Sequence, residues 1–310
     1  MTTRKKRRGS AGTPKRRDRP ESGEDRTTTA EASARSREVV FVHGVQWAGN
    51  EEVAGFSTPL QEAMSGPLDD YGIEVKFHEA LWADVVESDQ QRLIQAAEIT
   101  GYLATGNFLG AVRLLSEEVL KETVQLEGVD RPLLDQGLEQ LATKLFPSPP
   151  LPGVELLRNA ASWLLDIVFY FTDHYGRLIR GEVRKALRKA GAGTEHPPVV
   201  FAHSLGGVIM LDILREDLVQ ERPLSVRKLV TAGTPIGLFR NGQDDERLAK
   251  VRWVNFYDNG DFVAFWNPLR RYGYQTVTDR EPIQTGDYPI FTHMKYWGNG
   301  LIADEMVYSV

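Results

Sequence analysis

Short apolar runs alternate with amphipathic stretches along this chain. "EVVFVHGV" at 38–45 is a continuous apolar run ending in His-Gly, the pattern of a strand covered on both faces. "TPLQEAM" at 58–64 predicts a helix, with Thr58 as N-cap and Pro59 at the first position. "IEVKFHEALW" at 73–82 predicts a second strand, with Ile73, Val75 and Phe77 alternating. From about Asp84 to Ala190 apolar positions recur every three or four residues, with glycine breaks, which predicts helix. A proline-rich loop, "FPSPPLPG" at 146–153, splits that region. The stretch "VELLRNAASWLLDIVFYFTDHYGRLIRGEVRKALRKAG" then predicts one long helix or two in succession, with a basic last turn and Gly191 as the stop.

The strand and helix rhythm then resumes. "PVVFAHS" reads as a strand and "LGGVIMLDILRED" as a helix. Further strands are predicted in "VRKLVTAGTP" at 226–235, "VRWVNFYD" at 251–258 and "YQTVTD" at 274–279. This alternation predicts an α/β fold, a mainly parallel doubly wound sheet with helices on both faces. The helical residues at about 84–190 would then form a large cap insertion over one end.

Charge separates the first 37 residues from the rest. They hold twelve Lys or Arg and five Asp or Glu, net +7, which leaves 25 basic and 38 acidic residues elsewhere, net −13. Residues 1–36 also lack Ile, Leu, Val and aromatics, so they cannot bury enough apolar surface to offset ordering entropy. We therefore read 1–37 as a disordered basic tail and 38–310 as one folded domain, a size that a single α/β core accommodates. Arg7-Arg8 and Arg16-Arg17 are not followed by the apolar segment of an export signal. The tail could make weak contact with an anionic surface through charge alone, and no motif predicts a specific nucleic-acid partner.

Cysteine is absent, which excludes disulfides, a thiol nucleophile and cysteine-ligated metals. A reducing cytoplasm is the plain reading of that composition. "AASWLLDIVFYF" at 160–171 is interrupted by Asp166 and is shorter than the roughly 20 residues of a membrane span.

Parallel sheets bind ligands beyond the carboxyl ends of their strands. Reactive side chains stand at three such ends: His43, Ser204, and Asp258 with Asp261. His293 lies in the loop "FTHMKYW" near the C-terminus. In "VVFAHSLGGV" at 199–208 a strand turns abruptly into a helix at Ser204, and small residues stand two before and two after it, at Ala202 and Gly206. A strained turn of that kind lifts the hydroxyl above the sheet edge and aims the following N–H groups into the same space. The helix N-terminus favours developing negative charge there. This is a nucleophile elbow.

Other candidates have plainer readings. His203 supports the elbow by packing, His43 shapes its loop, and Asp166 and Asp212 are structural partners in helices. His78, His174 and His196 lack companions at metal spacing, and "HEALW" has tryptophan where H-E-x-x-H needs histidine. "GNGLIA" at 298–303 fits a dinucleotide pattern but opens no βαβ unit, and no P-loop is present. Neither a cofactor nor a metal is implied.

On "VVFVHGV", "VVFAHSLGGV", "TAGTP", "VNFYDNGDFVAFWN" and "HMKYW", in that order, residues 38–310 resemble an α/β-hydrolase-fold serine hydrolase of the bacterial lipase and esterase type. Ala202 departs from the glycine common at that elbow position. The resemblance implies Ser204 as nucleophile, His293 as base and then acid, and Asp261 as the residue orienting His293, with Asp258 as its rival. It implies oxyanion donors in the backbone N–H groups of Leu205 and Val45, with Gly44 permitting close approach. The expected substrate is a small-molecule or lipid carboxylic ester. Acyl transfer, thioesterase or amidase chemistry, and non-catalytic binding on the same fold, are the alternatives. Trp47, Trp163, Phe169 and Phe171 could line an acyl pocket, although the last three read mainly as helix packing.

Overall fold

The computed structural model describes residues 36–45, 57–89, 136–140, 163–217, 224–240, 242, 248–261, 263–264, 268–280, 283 and 289–308. Residues 1–35 of the tail, Trp47, the proline-rich loop and most of the interval expected to form a cap lie outside them.

Among the described residues six strands form one sheet in which every pairing is parallel: β1 (Ser36–Val42), β2 (Glu74–Ala80), β3 (Val199–His203), β4 (Lys228–Ala232), β5 (Trp253–Phe256) and β6 (Thr278–Asp279). Their spatial order is β2-β1-β3-β4-β5-β6. The chain therefore steps from β1 to one side, then returns to continue on the other. That reversal opens a crevice beyond the carboxyl ends of β1 and β3. Register fixes what meets there. Val42 pairs with Ala202, and His203 with Ala232, so the residues just past β1, β3 and β4 emerge at one edge.

The strands are apolar on both sides because both sides are covered. Val40, Val42, Val200, Ala202 and Leu229 face α2 (Asp173–Lys189) and α3 (Leu205–Asp217) in one core, which also takes in the short α4 (Ile236–Phe239). Val39, Phe41, Phe201, Val230 and Phe256 face α1 (Thr58–Tyr71) and α6 (Gly300–Val307) in the other. Truncating a fully buried phenylalanine such as Phe201 to alanine would cost about 3–5 kcal/mol. Lys228, buried at the start of β4, pairs with Glu305 of α6, which also receives Arg280. Among the described residues no helix is long and apolar enough to cross a membrane.

Several boundaries differ from expectation. Ser36 and Arg37, read as the end of the disordered tail, are the first residues of β1. Helix α1 begins after Ser57, not Thr58, and runs through Pro67 to Tyr71 before Gly72 stops it in a left-handed conformation. Ser57 makes no side-chain cap, because its hydroxyl and N–H both donate to Glu79 on β2. The long helical stretch is two helices in succession. Residues 163–170 are helical, and Thr172 then caps α2 by accepting from Tyr175 N–H. Arg188 and Lys189 occupy the last turn of α2 and Gly191 follows with φ 90°, as the stop signal requires. The final strand is only two residues long. "GNGLIA" belongs to the start of α6, with Asn299 capping Leu301 N–H.

Candidate active site

Ser204 is the one non-glycine residue with positive φ among the described residues, at 54°. A serine held there costs on the order of 1–3 kcal/mol, so its surroundings must impose it. Ser204 N–H donates to Ala232 O at 3.0 Å, and Gly207 N–H donates to Ser204 O at 3.0 Å. Neighbouring glycines make the turn possible. A β-carbon on Gly206 would stand 2.5 Å from Val42 O and 2.7 Å from His43 O. Helix α3 can thus start directly against the end of β1, with Leu205 as its first residue. The Leu205 N–H belongs to the first turn, where helices lack internal acceptors.

From the hydroxyl a continuous hydrogen-bonded chain runs inward. Ser204 Oγ lies 3.0 Å from His293 Nε2. His293 Nδ1 lies 3.0 Å from Asp261 Oδ2 and 3.1 Å from Oδ1. The carboxylate only accepts, so Nδ1 carries the proton and Nε2 is left as an acceptor for the serine O–H. All three residues are buried. Asp261 also accepts from Val263 N–H on Oδ1 at 2.8 Å and from Tyr296 O–H on Oδ2 at 2.9 Å. His293 is on a short helix, α5 (Pro289–Met294), and not in a loop as expected.

Asp258 has a different place. Its Oδ1 accepts from Gly260 N–H at 2.7 Å and its carbonyl accepts from Asp261 N–H at 3.0 Å. It shapes the turn that presents Asp261 to the imidazole.

Two further histidines surround the chain of bonds. His203 Nε2–H donates to the backbone carbonyl of His293 at 2.8 Å, and the two rings lie 4.6 Å apart. Burial, and then the nearby His293, hold the His203 pKa well below its ordinary value, so it remains a neutral donor. It thus does more than pack. His43 stacks on Trp82 at 5.0 Å and 4°. Its Nδ1–H donates to Gly44 O at 2.8 Å, and its Nε2 accepts from Trp82 N–H at 3.4 Å. Burial lowers its pKa to about 4. The Gly44 carbonyl and the Val45 N–H share one planar peptide and point opposite ways. Holding that carbonyl therefore fixes the direction of the Val45 N–H. Val45 itself is half-buried against the core.

Asp212 is the structural partner expected of it. It accepts from Arg240 Nε at 2.9 Å and Nη2 at 2.5 Å, and from Tyr170 O–H at 2.6 Å. Trp163 is closer to His293 than expected, since the two rings meet edge-on at 5.8 Å. Phe169 and Phe171 pack in the core, against Tyr175 and Phe239. Tyr296 escaped the sequence reading, although it stands three residues beyond His293 in the quoted "HMKYW".

No family model, no curated protein and no solved structure matches this chain.

Proposed function

We propose that this protein is a serine hydrolase of the α/β-hydrolase fold, with a helical cap inserted between β2 and β3, that cleaves a carboxylic ester or lipid through an acyl-enzyme. The reading rests on one observation: a strained serine at a strand-to-helix turn, hydrogen-bonded through histidine to a buried aspartate. Ser204 Oγ attacks the ester carbonyl carbon as its proton passes to His293 Nε2. Asp261 keeps Nδ1 protonated and offsets the imidazolium charge. The oxyanion that develops faces the N–H groups of Leu205 and Val45, each commonly worth about 10²–10³ in rate. Collapse expels the alcohol, which takes the proton from His293. Water, deprotonated by the same imidazole, then releases the acid and restores Ser204.

Helix α2 of the 84–190 interval covers the sheet, and it is the apolar residues of that interval before α2 that favour an acyl group over a polar one; the absence of cysteine fits a cytoplasmic setting. Labelling with a fluorophosphonate tests the nucleophile: the parent should label and Ser204→Ala should not. Equal labelling of both would end the assignment of Ser204 as nucleophile, and labelling of neither would favour a ligand-binding role. If labelling holds, adding an alcohol or thiol acceptor separates hydrolysis from acyl transfer by the product formed.

A further inference from the structure

The carboxylate of Asp261 has more donors than a triad needs. Val263 N–H and Tyr296 O–H take one oxygen each, and the His293 Nδ1–H lies nearly midway between both. Without the phenol, Oδ2 would keep only its share of the His293 bond, and the carboxylate would turn more easily about its own axis. With it, both oxygens are pinned facing the imidazole.

The fold makes specific room for this phenol. Tyr296 is fully buried, and its ring lies against Gly233, which follows β4 with φ 59°. A β-carbon at Gly233 would come within 2.6 Å of Tyr296 Cε2 and 3.0 Å of Asp261 Oδ2. One glycine therefore admits both the ring and the carboxylate. Burial, and then the Asp261 charge, raise the Tyr296 pKa well above its usual value, which keeps the hydroxyl a donor.

Resting on the hydrolase reading, we propose that Tyr296 is a positioning residue that acts through Asp261, fixing the carboxylate and tempering its pull on His293. The consequence has a sign. A donor on Oδ2 draws negative charge away from the Nδ1 side, so the imidazolium is held less tightly than it would be by a bare carboxylate. Loss of the hydroxyl strengthens that hold and draws the His293 Nδ1 proton closer to the carboxylate. Among the described residues, the polar and charged groups bonded to or packed on His293 include Asp261, His203, Ser204 and Tyr296, with Asp258 beyond the phenol.

The test is the ¹H NMR resonance of the His293 Nδ1–H on the full chain, in the parent, in Tyr296→Phe, and with 3-fluorotyrosine in place of Tyr296. Phenylalanine keeps the ring and deletes the donor, so the Nδ1–H bond to the carboxylate tightens and its proton should move downfield. Fluorotyrosine is a stronger donor and should move it upfield. Opposite shifts support the proposal. A resonance unmoved by both changes overturns it, whatever happens to stability, as does a shift of reversed sign. Should Tyr296→Phe fail to fold, the fluorotyrosine arm decides alone. NMR reads this without turnover, so a failure of fluorophosphonate labelling remains a separate result.

Discussion

Gly44 lies directly against Ser204: a β-carbon at position 44 would stand 2.5 Å from Ser204 Cβ and 2.9 Å from its Oγ. Real β-carbons do not approach that closely, so the residue after His43 has to be glycine if the serine keeps its place. Gly44→Ala should push the β1 loop or the serine away and misalign the Val45 N–H. We expect fluorophosphonate labelling to slow by about 10²-fold or more, the usual worth of one oxyanion donor, with the far-ultraviolet spectrum unchanged. Labelling at the parent rate would show that this contact does not matter to the reaction.

The two aspartates near β5 separate by their bonds. Asp261→Asn would present an amide to the imidazole and favour the wrong tautomer, so turnover of a short activated ester should fall by about 10⁴. Asp258→Asn keeps an Oδ1 that still accepts from Gly260 N–H, and its turnover should stay within about tenfold of the parent. Reversed effects in that assay would exchange the two roles.

Acid should destabilise the fold through His43. Its pKa is 6.5 when exposed and about 4 in the folded protein. Above 6.5 both states are neutral. Between 6.5 and 4 the unfolded chain binds a proton that the native state refuses, so stability falls as acid is added across that window. The difference is worth at most about 3 kcal/mol, and His203 acts in the same direction. Urea titrations at pH 7, 6, 5 and 4.5 should show the decline, and His43→Asn should flatten it. Parallel declines in the two proteins would assign the acid sensitivity to other groups.

What could be read from the sequence follows its periodicities. The run "VVFAHS" and the alternation of "IEVKF" placed β3 and β2 because burial on two faces or one leaves a signature in single residues. The start of α1 was misread because Ser57 directs its side chain to Glu79, a contact 22 residues away. Ser204 and Asp261 could be nominated from strand ends and His293 from its segment near the C-terminus, but their meeting depends on loops whose course carries no period. Choosing between Asp258 and Asp261 required knowing which carboxylate faces the imidazole. Tyr296 was invisible for the same reason: a phenol has no pattern that distinguishes holding a carboxylate from filling a core.

A buried ion pair ties the helical segment 163–170 to the body, and its energetics can be read by paired substitution. Arg240 grips both oxygens of Asp212 on α3, and Tyr170 adds a third donor from that segment. Both ionic side chains are at least nine-tenths buried, so removing either strands the other's charge away from water. Arg240→Met and Asp212→Leu should each destabilise by about 3–5 kcal/mol in urea unfolding. The double variant removes both charges and replaces them with apolar volume, so it should be less destabilised than the sum, recovering most of one single loss. Additive losses would mean that the two residues act independently. Because residue 163 of that segment carries the tryptophan edge-on to His293, the single variants should also slow labelling of Ser204, and the double variant should restore part of that rate.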